Sequence, residues 1–244
     1  MAAPQPRPGS SSQPRPGDSF IERFTTMVRG SPKRRVDFEL RALDVILSGL
    51  LLILTSPFIA LISLAVLLTS GRPILYRGER VGKDGKIFEM LKFRTLRPGA
   101  EERLGPYLGP ELVERTRAET TRLGGRLRAM QLDELPQLWN VLRGQMSIVG
   151  PRPDLVEQVA NYEPGDRRRL AVKPGITGWA QVMGRDEIPW EERFRLDAWY
   201  VDNWSLRLDA RIVLMTFTQL GRPEPEPVED TLNIERARRG QTRS

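Results

Sequence analysis

Val45 to Gly71 reads "VILSGLLLILTSPFIALISLAVLLTSG" and carries no charged residue. At about 1.5 Å of rise per residue, a straight helix of this length would cross the roughly 30 Å of hydrocarbon in a bilayer. Two features point away from a simple crossing. Ser56-Pro57 falls at the midpoint, where a proline removes a backbone donor and kinks a helix. Both flanks are basic: Lys33, Arg34, Arg35 and Arg41 precede the stretch, and Arg72, Arg77 and Arg80 follow it. Positive residues favour the cytoplasmic side, so a crossing would strand one cluster outside. A helix that bends at Ser56-Pro57 and returns keeps both inside. The pattern predicts a re-entrant membrane helix, with a kinked single-pass anchor as the alternative.

The rest of the chain is of a different kind. Mean hydropathy over the 244 residues is −0.39, that of a mostly soluble protein. Lys and Arg outnumber Asp and Glu by 38 to 31, and the isoelectric point is near 10.2. That balance suits an anionic partner: nucleic acid, an acidic membrane face or a phosphorylated substrate. There is no cysteine and no histidine, which excludes disulfides and thiolate chemistry and makes a structural zinc site a poor fit. A metal, if used, should be a hard, oxygen-liganded one such as Mg²⁺. Residues 1–32, rich in Pro, Ser, Gly and Arg, read as a disordered tail with no apolar signal segment, and 222–244 as a second loose tail.

Past the apolar stretch, Asp84-Gly85 between apolar, β-prone runs signals a hairpin. Lys92 and Arg94 would share one face of its second strand, with Phe93 on the other, and two cations so placed suit a phosphate. Residues 110–128 have a highly charged helical pattern. Leu135, Leu138, Trp139 and Leu142 mark an amphipathic helix that Gly144 would end. "KPGITGWAQVMGR" (173–185) reads as a Gly-rich loop. Trp190, Phe194, Trp199, Tyr200 and Trp204 would suit either a headgroup-level surface or an ordinary helical core.

Asp133 and Glu134 adjoin the start of the amphipathic helix, directly before Leu-Pro. Aspartate is among the best N-caps, so a structural role for Asp133 is a real alternative. The functional reading comes from the cations nearby in sequence, Arg128, Arg143 and Arg152. Guanidinium groups bind phosphate oxygens through paired hydrogen bonds, and several converging on carboxylates suggest a phosphoryl site. In such a site a carboxylate can be a metal ligand, a base or a nucleophile, and a chain without His or Cys must use something of that kind.

The run "LDELPQLWNVLRGQMSIVGPRP" (132–153) resembles the signature of the bacterial sugar transferases, the monotopic phosphoglycosyl transferases that act on polyprenyl phosphates. Further motifs match in order: "RALD" with Arg41 and Asp44, the helix-breaking Ser56-Pro57, the hairpin "RVGKDGKIFEMLKFRT", the loop "KPGITGWAQVMGR" and the helices "LDAWYVDNWSLRLDARIVLMT". The likeness runs from about Arg34 to Leu220, in the compact form without a multi-span N-terminal domain. Departures fall at Leu40, Gln131, Gln145 and Met183.

The resemblance implies an α+β, monotopic membrane protein. A re-entrant helix region (33–71) would precede a cytosolic phosphoglycosyl transferase domain (72–221) with a small hairpin and amphipathic interfacial helices. It implies transfer of a sugar 1-phosphate from a UDP-sugar to undecaprenyl phosphate at the cytoplasmic face of the inner membrane, releasing UMP and starting a surface glycan. It further implies that Asp133 is the nucleophile, that Glu134 ligates Mg²⁺, and that Lys92, Arg128, Arg152 and Arg185 bind phosphate and substrate, to which the strand-face reading adds Arg94. Membrane lipid is then the anionic partner rather than nucleic acid, and the oligomeric state stays open. A Mg²⁺-dependent phosphohydrolase of nucleotide sugars and a non-enzymatic basic scaffold are the competing expectations.

Overall fold

The computed structural model describes residues 37–104, 110–163, 165–184 and 188–219; the two tails and Arg185 lie outside them. The apolar stretch forms helix α1 (Asp37–Ser70), which runs on through Pro57. Pro57 has no N–H to give the carbonyl four residues back, that of Ile53. The Ser56 hydroxyl donates to that carbonyl instead, at 2.8 Å. Ser48, Thr55, Ser63 and Thr69 also bond back to carbonyls one turn earlier. The Ser56 hydroxyl thus serves the carbonyl that proline leaves bare, and the other four find on the helix an acceptor that lipid does not offer.

One stripe of α1 faces the rest of the protein: Arg41, Asp44, Ser48, Leu51, Thr55, Ile59, Ile62 and Val66, spaced by three and four. The other faces expose Ile53, Leu54, Phe58, Leu61, Leu64 and Leu68. Only 11% of its most apolar window is buried, and the helix is long and apolar enough to cross a membrane. So large an exposed apolar surface belongs in lipid.

Both ends of α1 are tied to the same globular body. Near the N-terminus, Arg41 donates to the Val141 and Leu142 carbonyls at 2.5 Å each. Asp44 Oδ1 accepts from Ser147 Oγ (2.8 Å) and Ile148 N (3.0 Å). At the C-terminus the final carbonyls are gripped by Arg94, and Ile62 and Val66 join a core with Phe93 and Leu127.

The hairpin stands where Asp84-Gly85 placed it. Strands β1 (Leu75–Val81) and β2 (Ile87–Phe93) are antiparallel, with Leu75 opposite Phe93 and Val81 opposite Ile87. Asp84 (φ 56°) and Gly85 (φ 77°) take the left-handed conformation that the reversal needs. Helices α2 (Ala100–Leu104), α3 (Pro110–Glu119) and α4 (Arg122–Ala129) follow. The charged pattern over 110–128 is thus two helices, because Thr121 starts a new one by accepting from Gly124 N at 2.9 Å.

Helix α5 (Gln137–Leu142) ends on Gly144 (φ 78°), as the sequence indicated. Strand β3 (Ser147–Val149) and the short helix α6 (Val156–Ala160) come next. Of the stretch 173–185, the described part, 173–184, is more than a loop. It forms strand β4 (Gly175–Thr177), parallel to β3, and helix α7 (Trp179–Gly184). Its glycines serve contact: a Cβ on Gly175 would lie 2.1 Å from Gly150 N. Helices α8 (Trp190–Asn203) and α9 (Leu206–Gln219) complete an α+β architecture. Their corner is fixed by Asp209, which accepts from Tyr200 Oη (2.8 Å) and Trp204 Nε1 (2.7 Å). The aromatic residues divide: Phe194 and Tyr200 are buried in the core, while Trp199 is half exposed.

Candidate active site

The two adjacent carboxylates sit on a single tight turn, Leu132–Glu134, between α4 and α5. Gln131 enters it with φ 56°, and Leu132 and Leu135 anchor it in the core beneath α1. Helix α5 begins only at Gln137 with Pro136 at its N-cap position, so Asp133 does not cap it. Asp133 is 6% exposed, and its carboxylate accepts no hydrogen bond among the described residues.

Glu134 faces cations brought from two other elements. Lys92 Nζ, on β2, lies 2.7 Å from its Oε1, and Arg152 Nη2, in the Gly-Pro-Arg-Pro turn after β3, lies 3.3 Å from the same oxygen. Oε2 accepts no hydrogen bond among the described residues. Burial alone would raise the Glu134 carboxyl, but Lys92 first and Arg152 second pull it down to about 2. Asp133 goes the other way. Burial raises it and the Glu134 charge adds to that, against opposition from Lys92, Arg128 and Arg152. Lys92 is itself lowered by burial, with Glu134 holding it up. Two neighbouring acids are therefore made unlike, one firmly ionised and one less so, which suits division of labour at a reacting centre.

The expected residues are sorted by their contacts. Lys92, Arg128 and Arg152 all line one cavity with Asp133 and Glu134. Arg128 is oriented there by its Nε, which donates to Thr95 Oγ1 at 2.9 Å. Arg94 borders the cavity too, but its guanidinium is otherwise engaged. Nη1 donates to the Arg72 carbonyl (3.0 Å), and Nη2 to those of Ser70 (2.5 Å) and Gly71 (2.8 Å). Arg94 thus closes the end of α1, with Nη1 and Nη2 both on carbonyls at and just past that end. Strand alternation put Lys92 and Arg94 on one face, yet β2 ends at Phe93 and Arg94 is the first residue past it.

The cavity is about 990 Å³. Its lining includes Arg97, Gly99, Glu102 and Arg128, in and around α2. The same lining takes in Leu51 and Thr55 of α1 and Val213, Thr216 and Phe217 of α9. The floor between those helices is the β3–β4 pair. Ile148 N bonds Asp44 on one side, and Thr177 Oγ1 lies 2.6 Å from Thr216 Oγ1 on the other. One space thus joins the acids, the cations and the flank of the lipid-exposed helix.

Asn140 was not legible as part of the site. It is fully buried; its Oδ1 accepts from Leu91 N (3.0 Å), and its Nδ2 donates to Glu89 O (2.6 Å) and Gln145 Oε1 (2.8 Å). Those bonds lock α5 against β2, which brings Lys92 to Glu134. An isolated Asn within an amphipathic helix gave only one signal, a polar residue at a position that a helix of this length buries. Gln145, one of the departures, has a defined partner in Asn140.

A sequence model of the family described as bacterial sugar transferase matches residues 36–222. The uncharacterized sugar transferase EpsL of Bacillus subtilis is 43% identical over 176 residues, covering 72% of this chain and 84% of EpsL. The exopolysaccharide production protein ExoY of Rhizobium meliloti is 37% identical over 186 residues, 72% of this chain and 82% of ExoY. The UDP-glucose:undecaprenyl-phosphate glucose-1-phosphate transferase of Escherichia coli is 41% identical over 186 residues, 72% of this chain but 39% of that longer protein.

Proposed function

The chain belongs to the bacterial sugar transferase family, and from that premise we propose that it transfers a sugar 1-phosphate from a UDP-sugar to undecaprenyl phosphate. A product of that kind would open the assembly of a surface glycan such as an exopolysaccharide. Support for the substrates comes from the activity that the Escherichia coli relative is named for. The observation that carries the reading is Asp133: a carboxylate with no hydrogen-bond partner among the described residues, in the field of Lys92, Arg128 and Arg152, on a cavity that runs to α1.

In the first half-reaction an Asp133 carboxylate oxygen attacks the donor's β-phosphorus. The bond from that phosphorus to the bridging oxygen breaks, and UMP leaves with the electron pair. A phosphate oxygen of the polyprenyl acceptor then attacks the same phosphorus, releasing the aspartate and forming the new diphosphate. Repulsion between a carboxylate and a diphosphate must be offset, and fixed cations in a site of low dielectric do that well.

Mg²⁺ fits the donors present. Glu134 is held ionised with Oε2 open, and the described residues contain no group of three or more metal-binding side chains, so substrate phosphate and water would complete the coordination. When bound there, the ion would supply further neutralisation of the diphosphate charge. Arg185 remains a proposed contact outside the described residues.

The acceptor's phosphate lies at the headgroup plane and its chain in lipid. A re-entrant α1, with catalytic domain and both flanks on the cytoplasmic side, would place the cavity between the two. The attachment of Arg41, Asp44 and the Ser70 carbonyl to one domain supports that topology.

The test uses purified full-length protein with labelled UDP-sugars, Mg²⁺ and undecaprenyl phosphate. The expected result is labelled lipid plus UMP, with a phosphosugar adduct on Asp133 by mass spectrometry when the acceptor is withheld. Asp133→Asn should abolish UMP release while the protein stays folded. Sugar 1-phosphate released catalytically without acceptor would instead establish a phosphohydrolase, and UMP release by the Asn variant at the wild-type rate would remove Asp133 from the chemistry.

A further inference from the structure

Behind Arg152 lies a buried charge cluster that the reaction above does not use. Arg169, in the turn Asp166–Ala171, is 3% exposed. Its Nη1 donates to the Asp154 carboxylate and to Tyr162 Oη, the latter at 2.6 Å. Its Nη2 pairs with Asp197 Oδ2 at 2.7 Å and donates to the backbone carbonyl of Arg152 at 3.0 Å. The guanidinium stacks 4.6 Å from the ring centroid of Phe194. One planar group therefore grips the Arg152 main chain and the carboxylate two residues on, while Pro151 and Pro153 stiffen the segment between. The Asp154 carbonyl ties the same segment to β1 by accepting from Val81 N at 3.1 Å.

A buried ion cluster is a costly way to gain stability, since apolar side chains of similar volume do as well or better. What this one does that apolar packing could not is hold a particular backbone carbonyl in place through a directional fork. We propose that Arg169 is a positioning residue: it fixes the Pro-Arg-Pro segment so that the Arg152 side chain stays on Glu134 and faces Asp133. A lysine at 169 keeps the charge but offers a single point donor on a flexible stem, so it cannot serve all four acceptors at once.

This assignment rests on the proposed reaction, because its main readout is the first half-reaction, UMP released in one turnover without acceptor. Full-length wild type, Arg169→Lys, Arg152→Ala and the double variant are compared in lipid nanodiscs. Arg169→Lys is expected to slow UMP release by about tenfold or more, the scale on which a misplaced contact acts. In the Arg152→Ala background it should slow release by less than about twofold, since the group it positions is gone. The same fold loss in both backgrounds would make Arg169 merely structural and overturn the proposal. If Arg169→Lys does not fold, Asp197→Asn replaces it, with the same expectation and the same overturning result. Wild type that releases no UMP from any donor would sink the reaction instead. Hydrogen exchange would then decide: unchanged protection of residues 152–154 in Arg169→Lys overturns the positioning role, and faster exchange confined to that segment upholds it.

Discussion

Lys92 Nζ lies 2.7 Å from Glu134 Oε1, joining the second strand of the hairpin to the turn that carries Asp133 and Glu134. Both side chains are largely buried, 16% and 14% exposed. Removing one should leave the other as a poorly compensated buried charge, which typically costs about 3–5 kcal/mol. Lys92→Met is therefore expected to lower the thermal midpoint and abolish UMP release. Adding Glu134→Gln should restore much of the midpoint and none of the activity. The double-mutant cycle in melting temperature and turnover checks it; equal midpoints for Lys92→Met and the double variant would show that the pair is not coupled.

Arg94 sits two residues further on and should behave differently. Arg94→Ala strips the Ser70, Gly71 and Arg72 carbonyls of their donor. The expected loss is about 2–4 kcal/mol of stability, as for several buried acceptors left unpaired. Turnover per folded molecule should fall less than about tenfold, far less than for Lys92→Met. A full loss of turnover in well-folded Arg94→Ala would return Arg94 to the phosphate site.

Gly124 and Gly125 are neighbours with opposite expectations. A Cβ at Gly124 would come within 2.1 Å of the Thr95 carbonyl oxygen, whereas at Gly125 the nearest atom is 3.9 Å away. Gly125→Ala should raise stability by up to about 1 kcal/mol, because it replaces an exposed glycine inside α4. Gly124→Ala should destabilise by more than about 2 kcal/mol, because it forces α4 off the strand exit that orients Arg128. Denaturation midpoints of the two variants give the answer.

Topology is tested by labelling. Single cysteines at Phe38 and Arg77, both exposed and on either side of the apolar run, should react with an impermeant reagent only from the cytoplasmic side. Reaction from opposite sides would make α1 a crossing helix.

Asp197 sets a pH dependence of stability. Burial raises its carboxyl to about 6 from an ordinary 3.8, against the pull of Arg169. The folded state thus holds a proton that the unfolded chain has lost between about pH 4 and 6, so stability falls as pH rises through that window and levels off above it. Relative to Asp197→Asn, the wild type should lose stability across the window by up to about 3 kcal/mol. Melting curves of both proteins from pH 4 to 7 measure it; a constant difference would show that Asp197 does not titrate there.

Much of this was legible in the chain because the signals are local. An uncharged run longer than any soluble helix needs, an Asp-Gly between β-prone segments and a glycine after an apolar periodicity each act within a few residues. The reading of 173–185 failed for the opposite reason. Its glycines look like loop punctuation, but Gly175 is there because Gly150, distant in sequence, approaches within contact of its α-carbon. Arg94 shows the same limit: strand alternation gives a side chain's face but not its partners at the end of α1.

The sequence alone determined that part of this protein belongs in lipid, that a hairpin and an amphipathic helix follow, and that Asp133 and Glu134 are the acids to watch. Periodicity and turn chemistry are properties of neighbouring residues, so they survive without a fold. Which cations meet those acids was decided only in three dimensions. Asn140 locks α5 to β2, Arg169 holds the turn bearing Arg152, and Arg94 is diverted to the end of α1. Those partners lie 17 to 51 residues apart, and electrostatics acts through space, where sequence separation has no bearing.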